Sequence, residues 1–530
     1  MALYKKAGAK YFVSMGSHHD NFFLWNSKLH RWNAVNMGPH RDMVGDWQKA
    51  ARKQGLYFGV SEHLGASFTW FQDSHKSDAT GPFAGVAYDG ANPEYQDLYH
   101  FPAEKGDTGW YSNNPRWQHQ WFTEIKELVD NYHPDLLYTD GGVPFGNEVG
   151  RSLIAHLYND NASHHGGKAM VVYNCKQKSE GRWVEDLERG VMPGINPYPW
   201  QTDTSIGDWF YNKNWKFRPL SWTIHMLVDI VSKNGNLLLN VVQRPDGSLD
   251  AEVEQMLEQM SSWMAVNGEA IHGTRPWLVY GEGPVRTKGG HFKEDFAYTA
   301  QDIRFTTQGK TLYAFALGWP QDGKLVIKSL AKTADAKENK IARIELLGHR
   351  GRLDFTQTVD GLVVNLPDTK LSEIACALKI IGANLKPVPI VEAPVIISPD
   401  AKGNLTLRAD DVELHGSQIQ IETKDVQANI GFWDKPEDWI SWKAQITKPG
   451  KFKVSASIAA ASGDSEIAVK VGDESLSKKI PQTAGWNEFC IVEIGEIEIS
   501  QTGEMVVKVR PADANNWKPL NLRFVKLTAQ

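Results

Sequence analysis

A chain of 530 residues is too long for a single hydrophobic core and predicts two or three domains. The net charge of −6 and the lack of any basic run argue against a nucleic-acid partner, and no apolar run is long enough to span a bilayer. The three cysteines, Cys175, Cys376 and Cys490, lie far apart and offer neither a metal-ligand spacing nor a disulfide framework. Twenty tryptophans is an unusual content, and most are expected in cores or interfaces.

In chain order, Lys10 to Gly16 reads as a buried strand that ends on Ser17, His18, His19 and Asp20. A helix with Val44, Trp47 and Ala51 on one face stops at Gly55, and the strand Leu56 to Ser61 ends on Glu62 and His63. A long aromatic connection from Gly65 to Arg116 follows, with Trp70, Phe71, Tyr88, Tyr95, Tyr99 and Trp110. Such a loop either shapes a pocket or packs as a surface insertion on its own rings.

Next comes a helix with Trp121, Ile125, Leu128 and Tyr132 at three- and four-residue spacing, stopped by Pro134. The short strand Leu136 to Tyr138 then delivers Asp140, followed by Gly141 and Gly142. A single aspartate there could simply cap the next helix. The same grammar occurs three times, however, each strand following a helix and releasing ionisable residues at its carboxyl end. That pattern predicts a parallel sheet covered by helices, with His18, His19, Glu62, His63 and Asp140 on one rim.

Beyond Asp140, Ala169 to Tyr173 reads as a further strand, and Glu185 to Arg189 as either a functional or a solvated charge cluster. A loop runs through Pro197 to Trp209; Ser221 to Lys233 reads as a helix, Asn236 to Val242 as a strand and Ala251 to Ala265 as a helix. The stripe Met256, Leu257, Met260 and Met264 on the last helix is core.

Six motifs now carry a resemblance: HHDNFFLW from His18, WNAVNMGPHRDMVGDW from Trp32, PDLLYTDGG from Pro134, PWQTDTSIG from Pro199, GNLLLNVVQRPDG from Gly235, and AVNGEAIHGTRPW from Ala265. In this order they resemble the α-L-fucosidases of glycoside hydrolase family 29. The resemblance implies a retaining exo-hydrolase of terminal α-L-fucosyl residues, acting on a fucosylated glycan or polysaccharide without a cofactor or metal. It implies Asp140 as nucleophile, His18 and His19 as hydroxyl ligands, Trp25 as an aromatic near the sugar and Arg189 as a pocket arginine. Tyr138 stands where relatives often have Trp, and Trp70 and Trp200 are further candidates to cover the sugar. Many relatives have a glutamate where this chain has Gln201, which cannot donate a proton usefully. Glu188 is therefore the first candidate for the acid/base, Glu62 the second and Asp203 a distant third.

The expected fold is multidomain, a (β/α)8-type TIM barrel followed by two all-β sandwich domains. The expected division is 1–277 for the catalytic barrel, 278–385 for a β-sandwich, 386–400 for a proline-rich linker and 401–530 for a carbohydrate-binding-like β-sandwich. In the last, Trp433, Trp439, Trp442, Trp486 and Trp517 are available either for stacking on sugars or for the core. The HHD strand is about the third of the family barrel, so the expectation is a barrel short of its first strands, with Met1 an internal start or the mark of a truncated gene model. Placement in the periplasm or outside the cell is inferred from the family. A catalytically silent sugar-binding protein and a hydrolase of α-L-galactosides are the alternatives.

Overall fold

The computed structural model describes the chain except residues 147, 286–288, 295, 336, 391–395, 401 and 425–426. It divides into two compact units, Met1–Ile390 and Val391–Gln530. Among the described residues, no helix is long and apolar enough to cross a membrane.

The first unit is built on a seven-stranded sheet of β1 (Tyr11–Ser17), β2 (Tyr57–Glu62), β3 (Leu136–Thr139), β4 (Val172–Cys175), β5 (Val184–Asp186), β6 (Trp200–Ser205) and β7 (Gly235–Asn240). The strands lie side by side in sequence order and every pairing is parallel. Their carboxyl ends therefore share one rim. Among the described residues β1 pairs only with β2, and β7 only with β6. The sheet nevertheless curls on itself, because the Tyr11 hydroxyl of β1 reaches Leu237 O of β7 at 3.2 Å and Gln201 Oε1 of β6 at 3.1 Å.

The helices are α1 (Ala2–Lys6), α2 (Met43–Lys53), α3 (Ser67–Trp70), α4 (Gln96–Tyr99), α5 (Pro115–Tyr132), α6 (Val149–His164), α7 (Leu220–Ser232) and α8 (Ala251–Asn267). Local chemistry sets the limits of α5, which leads into β3. The Asn114 side chain accepts from the backbone N–H groups of Arg116 and Trp117, Pro115 occupies the first turn, and His133 ends the helix at φ +41°. Its inner face buries Trp117, Trp121, Ile125, Leu128 and Val129. Each such side chain contributes about 2–3 kcal/mol of transfer free energy, so packing dominates over the cap.

Among the described residues, eight further strands belong to the first unit: β8 (Arg275–Glu282), β9 (Ile303–Gln308), β10 (Thr311–Ala316), β11 (Lys324–Ile327), β12 (Lys340–Leu346), β13 (Phe355–Thr358), β14 (Gly361–Asn365) and β15 (Cys376–Ala383). They form an antiparallel sheet β12-β15-β10-β9-β8 and a smaller sheet β11-β14-β13, with Phe305, Leu312, Ile327, Leu362 and Leu378 in a shared core. A buried ion triad ties α7 to β9: Asp229 lies 2.7 Å from Lys233 Nζ and 2.6 Å from Arg304 Nε, all three at most 1% exposed. Loss of Asp229 would leave two cations uncompensated in the core, a cost of roughly 3–5 kcal/mol.

The second unit is all β. One sheet contains Ile396–Ile397, Trp439–Ile446, Gly503–Pro511, Ser465–Val471 and Glu474–Ile480; the other contains Gln420–Lys424, Gln427–Gly431, Asn521–Ala529, Gly450–Ala459 and Cys490–Ile499. The expected linker at 386–400 differs here. Residues 391–395 lie outside the described residues, and Ile396 and Ile397 pair in parallel with Lys443 and Ala444.

Candidate active site

Five successive strands release ionisable side chains at the common rim. His18 and His19 follow β1, Glu62 ends β2 with His63 after it, Asp140 follows β3, Lys176 follows β4 and Glu188 follows β5. Strand β6 adds Asp203. Parallel register explains the convergence, since each strand exits on the same side of the sheet.

Asp140 is at the centre. Its Oδ1 lies 2.5 Å from Lys176 Nζ, and its Oδ2 lies 3.4 Å from His63 Nδ1 and 3.8 Å from His19 Nε2. Burial alone would raise the carboxyl pKa, but His63 and Lys176 outweigh it and hold Asp140 well below the usual carboxylate range. Lys176 Nζ also lies 2.6 Å from Glu188 Oε2, so the two carboxylates grip one ammonium and their oxygens lie within about 5 Å of each other. The Lys176 pKa is raised by this company. Glu188 is held in turn by the 290s segment: its backbone N–H donates to His291 Nδ1 at 3.0 Å, and its carbonyl accepts from Phe292 N at 2.9 Å.

The histidines are fixed by backbone and ring contacts. His19 Nδ1 donates to His63 O at 2.8 Å, which leaves Nε2 facing Asp140. His18 stacks on His63 with centroids 4.5 Å apart. Burial first, and the neighbouring imidazoles second, lower the pKa of His18 to about 4 and also lower that of His19. Trp70, 61% exposed, stacks on His19 at 4.9 Å, and Trp110 meets His19 edge-on at 5.2 Å. Gly141, at φ +77°, is required here: a Cβ would lie 2.8 Å from Tyr111 Oη and 3.0 Å from Trp110 Nε1.

A second carboxylate group lies deeper. The Tyr138 hydroxyl is 3.4 Å from Asp186 Oδ2 and 3.3 Å from Asp203 Oδ2, while Gln201 Nε2 donates to Asp186 Oδ1 at 2.9 Å. Burial raises the pKa of both aspartates. Two like charges so placed cannot both ionise readily, so the pair retains a proton.

One cavity of about 2150 Å³ takes in the rim, lined by His18, His63, Tyr138, Asp140, Lys176, Glu188 and Asp203. It exceeds the usual ligand pocket because it continues between β1 and β7, past Phe12, Val13 and Leu237. The exposed rings of Trp209 and Phe210 border it.

Four expected site residues lie elsewhere. Trp25 is fully buried, stacked on Phe23 at 3.9 Å with its indole N–H donated to Glu127. Trp200 is also fully buried and donates to Lys233 O. Arg189 is bound to Glu294 at 3.1 Å and to Gly207 O at 3.2 Å, and does not line the cavity. Glu62 sits behind the rim, accepting from Leu64 N and Trp121 Nε1, fully buried and with its pKa pushed up to about 8 chiefly by desolvation. Trp110 belongs to the aromatic connection that the sequence offers for the pocket, whereas Lys176, Tyr111 and His291 are not among the expected residues. Lys176 was findable, since it follows a strand as Asp140 does, but the expected strand ended too early, at Tyr173.

Among the described residues, two groups have metal-ligating geometry. The ligand atoms of His18, His19 and His63 lie within 4.8 Å of one another, as do those of His133, Asp160 and His164 on the outer helices.

A family-wide profile described as alpha-L-fucosidase matches residues 1–269, about half of the chain, and the strands that carry the rim lie inside it. The chain belongs to the α-L-fucosidase family. A second profile, the alpha-L-fucosidase C-terminal domain, covers residues 297–381, and a domain of unknown function (DUF5077) covers 415–518. This α-L-fucosidase is 28% identical over 411 residues to the tissue alpha-L-fucosidase of Mus musculus, a match of 72% of this chain and 76% of that one. It is likewise 28% identical to the plasma alpha-L-fucosidase of Homo sapiens, over 71% of this chain and 72% of that one. The crystal structure of the Thermotoga maritima alpha-fucosidase in complex with fucose superposes with a TM-score of 0.54 at 27% identity, covering 72% of this chain and 77% of that chain. An alpha-L-fucosidase from Vibrio sp. strain EJY3, 18% identical, shares the fold over 100% of this chain and 86% of its own, with a TM-score of 0.52.

Proposed function

We propose that this α-L-fucosidase hydrolyses terminal α-L-fucosyl residues of glycans with retention of configuration, with Asp140 as nucleophile and Glu188 as acid/base. The observation that carries the reading is the Asp140–Lys176–Glu188 bridge, which places two carboxylates within about 5 Å of each other. Retaining glycosidases need a separation of about 5–5.5 Å, whereas inverting ones need room for a water between the groups.

Asp140 is kept ionised by His63 and Lys176 and attacks the anomeric carbon. A sugar seated between the carboxylates parts Glu188 from Lys176. Glu188 then stands at the glycosidic oxygen as the proton-carrying partner of a retaining pair. It donates that proton to the glycosidic oxygen as the bond breaks. Water next attacks the fucosyl ester, Glu188 takes its proton, and Asp140 leaves as carboxylate. His18 and His19, neutral because burial depresses their pKa, exchange hydrogen bonds with sugar hydroxyls. Trp70 offers an exposed ring beside them for the apolar face of the sugar. Glu62 is too enclosed for the acid role and acts as a neutral support behind His63 and Asp140.

In this reading the curled sheet is a (β/α)8-type barrel short of closure. Residues 1–277 are catalytic, 278–385 a β-sandwich, 386–400 a joint and 401–530 an accessory carbohydrate-binding domain. Secretion accords with an enzyme acting on glycans.

The test is Asp140→Gly assayed on 4-nitrophenyl α-L-fucoside with and without azide. Turnover should vanish and return with azide, giving a fucosyl azide of inverted configuration. Loss without rescue, or product of the other anomer, would assign the nucleophile elsewhere.

A further inference from the structure

Strand β5 is only 3 residues long, too short to fix by itself a side chain that lies beyond its end. Glu188 is held from outside the parallel sheet. Its backbone N–H donates to His291 Nδ1 at 3.0 Å, 103 positions along the chain, and its carbonyl accepts from Phe292 N at 2.9 Å. The next residue repeats the pattern, Arg189 O accepting from Lys293 N at 3.0 Å. Val191 and Gly290 close the pair as an antiparallel bridge, with N–H groups donated both ways at 3.3 and 2.9 Å. Residues 290–293, which lie between β8 and β9, therefore run as a strap along residues 188–191.

The strap is anchored by the residue that follows it. Glu294 is 4% exposed; its Oε1 accepts from Arg189 Nη1 at 3.1 Å and from Arg218 Nη2 at 2.8 Å, and its Oε2 accepts from Thr204 Oγ1 at 2.6 Å. Its carbonyl accepts from Trp222 Nε1 at 3.2 Å. One residue thus ties the chain beyond β5 to β6 and to α7. A buried carboxylate is costly unless it is paired and hydrogen-bonded, and charge-assisted hydrogen bonds add direction as well as energy. Arg189 turns at φ +45°, and its guanidinium is committed to Glu294, to Gly207 O at 3.2 Å and to the Trp209 ring 4.6 Å away. A left-handed backbone is unfavourable for arginine, so the turn directly after Glu188 depends on these contacts.

His291 completes the arrangement. Its Nδ1 accepts from Glu188 N only while it carries no proton, and burial first, with the Lys176 charge second, lowers the pKa of the ring. The imidazole is therefore neutral near pH 7, with its proton on Nε2. Neither His291 nor Glu294 lines the cavity around Asp140.

We propose that residues 290–294 are a positioning strap for the acid/base, with His291 setting the backbone of Glu188 and Glu294 setting Arg189 beside it. The strap keeps the Glu188 carboxyl beside Lys176, at the separation from Asp140 that a retaining pair needs. A brace that served folding alone would be needed equally by every substrate. One that aims a proton donor is needed most where the leaving group cannot depart unaided. This assignment rests on reading Glu188 as the acid/base.

The test compares kcat/KM, which reports the step that breaks the glycosidic bond, on phenyl and 4-nitrophenyl α-L-fucosides for the parent, Glu294→Gln, His291→Ala and Glu188→Gly. Glu294→Gln should lose about 10- to 100-fold on the phenyl fucoside and at most about threefold on the nitrophenyl fucoside, and His291→Ala should show the same imbalance at a smaller size. Azide should speed nitrophenol release by both variants and give a fucosyl azide of retained configuration, because azide attacks the fucosyl ester without needing a base. Equal losses on the two substrates, or no azide effect, with Glu188→Gly still imbalanced, would overturn the strap and leave the catalytic reading standing. A Glu188→Gly variant without imbalance would overturn both. Should Glu294→Gln fail to fold, His291→Ala decides alone, since its ring is exposed and its loss frees the Glu188 N–H. Parent-like rates on both substrates in that variant would overturn the strap.

Discussion

Lys176 Nζ lies 2.5 Å from Asp140 Oδ1, nearer to that carboxylate than either His63 or His19. An ammonium so placed keeps Asp140 ionised and orients it at the same time. Lys176→Met should lower kcat/KM by about 100- to 1000-fold, the loss of roughly 3–4 kcal/mol of charge stabilisation. It should also move the acid limb of the pH profile upward. The folded pKa of Asp140 is depressed, so its ionised form persists as pH falls, and removing the cation brings protonation back toward the ordinary range. An unshifted acid limb would mean that His63 suffices. Lys176→Arg should recover part of both effects.

Glu188 and Glu62 separate by leaving group. For Glu188→Gly, activity should fall about 100-fold or more on a natural fucosylated glycan but far less on an aryl fucoside whose phenol leaves unaided. Glu62→Gln should affect both substrates by the same modest factor, because Glu62 does not line the cavity. Equal losses on both substrates for Glu188→Gly would remove it from the acid role.

The three rim histidines also predict sensitivity to borderline-soft cations. Their ligand atoms lie within 4.8 Å of one another, and burial keeps His18 and His19 neutral near pH 7. Zinc or copper(II) at roughly micromolar to submillimolar levels should inhibit competitively with the fucoside and be reversed by a chelator. Inhibition should weaken as pH falls toward the lowered pKa values of His18 and His19, since a protonated imidazole cannot ligate. Non-competitive inhibition would place the metal elsewhere, His133, Asp160 and His164 being the next candidates.

Glu124 of α5 makes a stability prediction away from the site. It is 2% exposed, its Oε2 has no hydrogen-bond partner, and burial pushes its pKa up to about 8 from an ordinary 4.5. Between those values the folded state holds a proton that the unfolded state has lost, so stability declines as pH rises from about 4.5 to about 8. Glu124→Gln should remove that decline, worth at most about 3 kcal/mol at pH 7. Melting temperatures at pH 5 and pH 8 check it. The variant should gain at pH 8 relative to the parent and gain little at pH 5.

The parts of the site that were legible in the sequence followed strong local signals. The strands ending at His18, Glu62 and Asp140 are apolar runs between helices of clear period, and each exit is marked by charge or glycine. Strands β5 and β6 were not legible, because Val184–Asp186 and Trp200–Ser205 are short and polar, with Asp186, Thr202, Thr204 and Ser205 buried inside the curled sheet. Periodicity identifies a strand only when one of its faces is apolar.

The sequence by itself determined the family, the parallel run of the first strands and the place of Asp140 at a strand exit, because these depend on residue type and chain order. Only the tertiary structure decided which aromatic and cationic side chains stand at the rim. Trp25 and Trp200 turn into the core, Arg189 is consumed by Glu294, and Lys176 enters the site from an adjacent strand. The physical reason is that burial and ion pairing are non-local: the direction of a Trp or Arg is set by neighbours distant in sequence, which motif spacing does not specify.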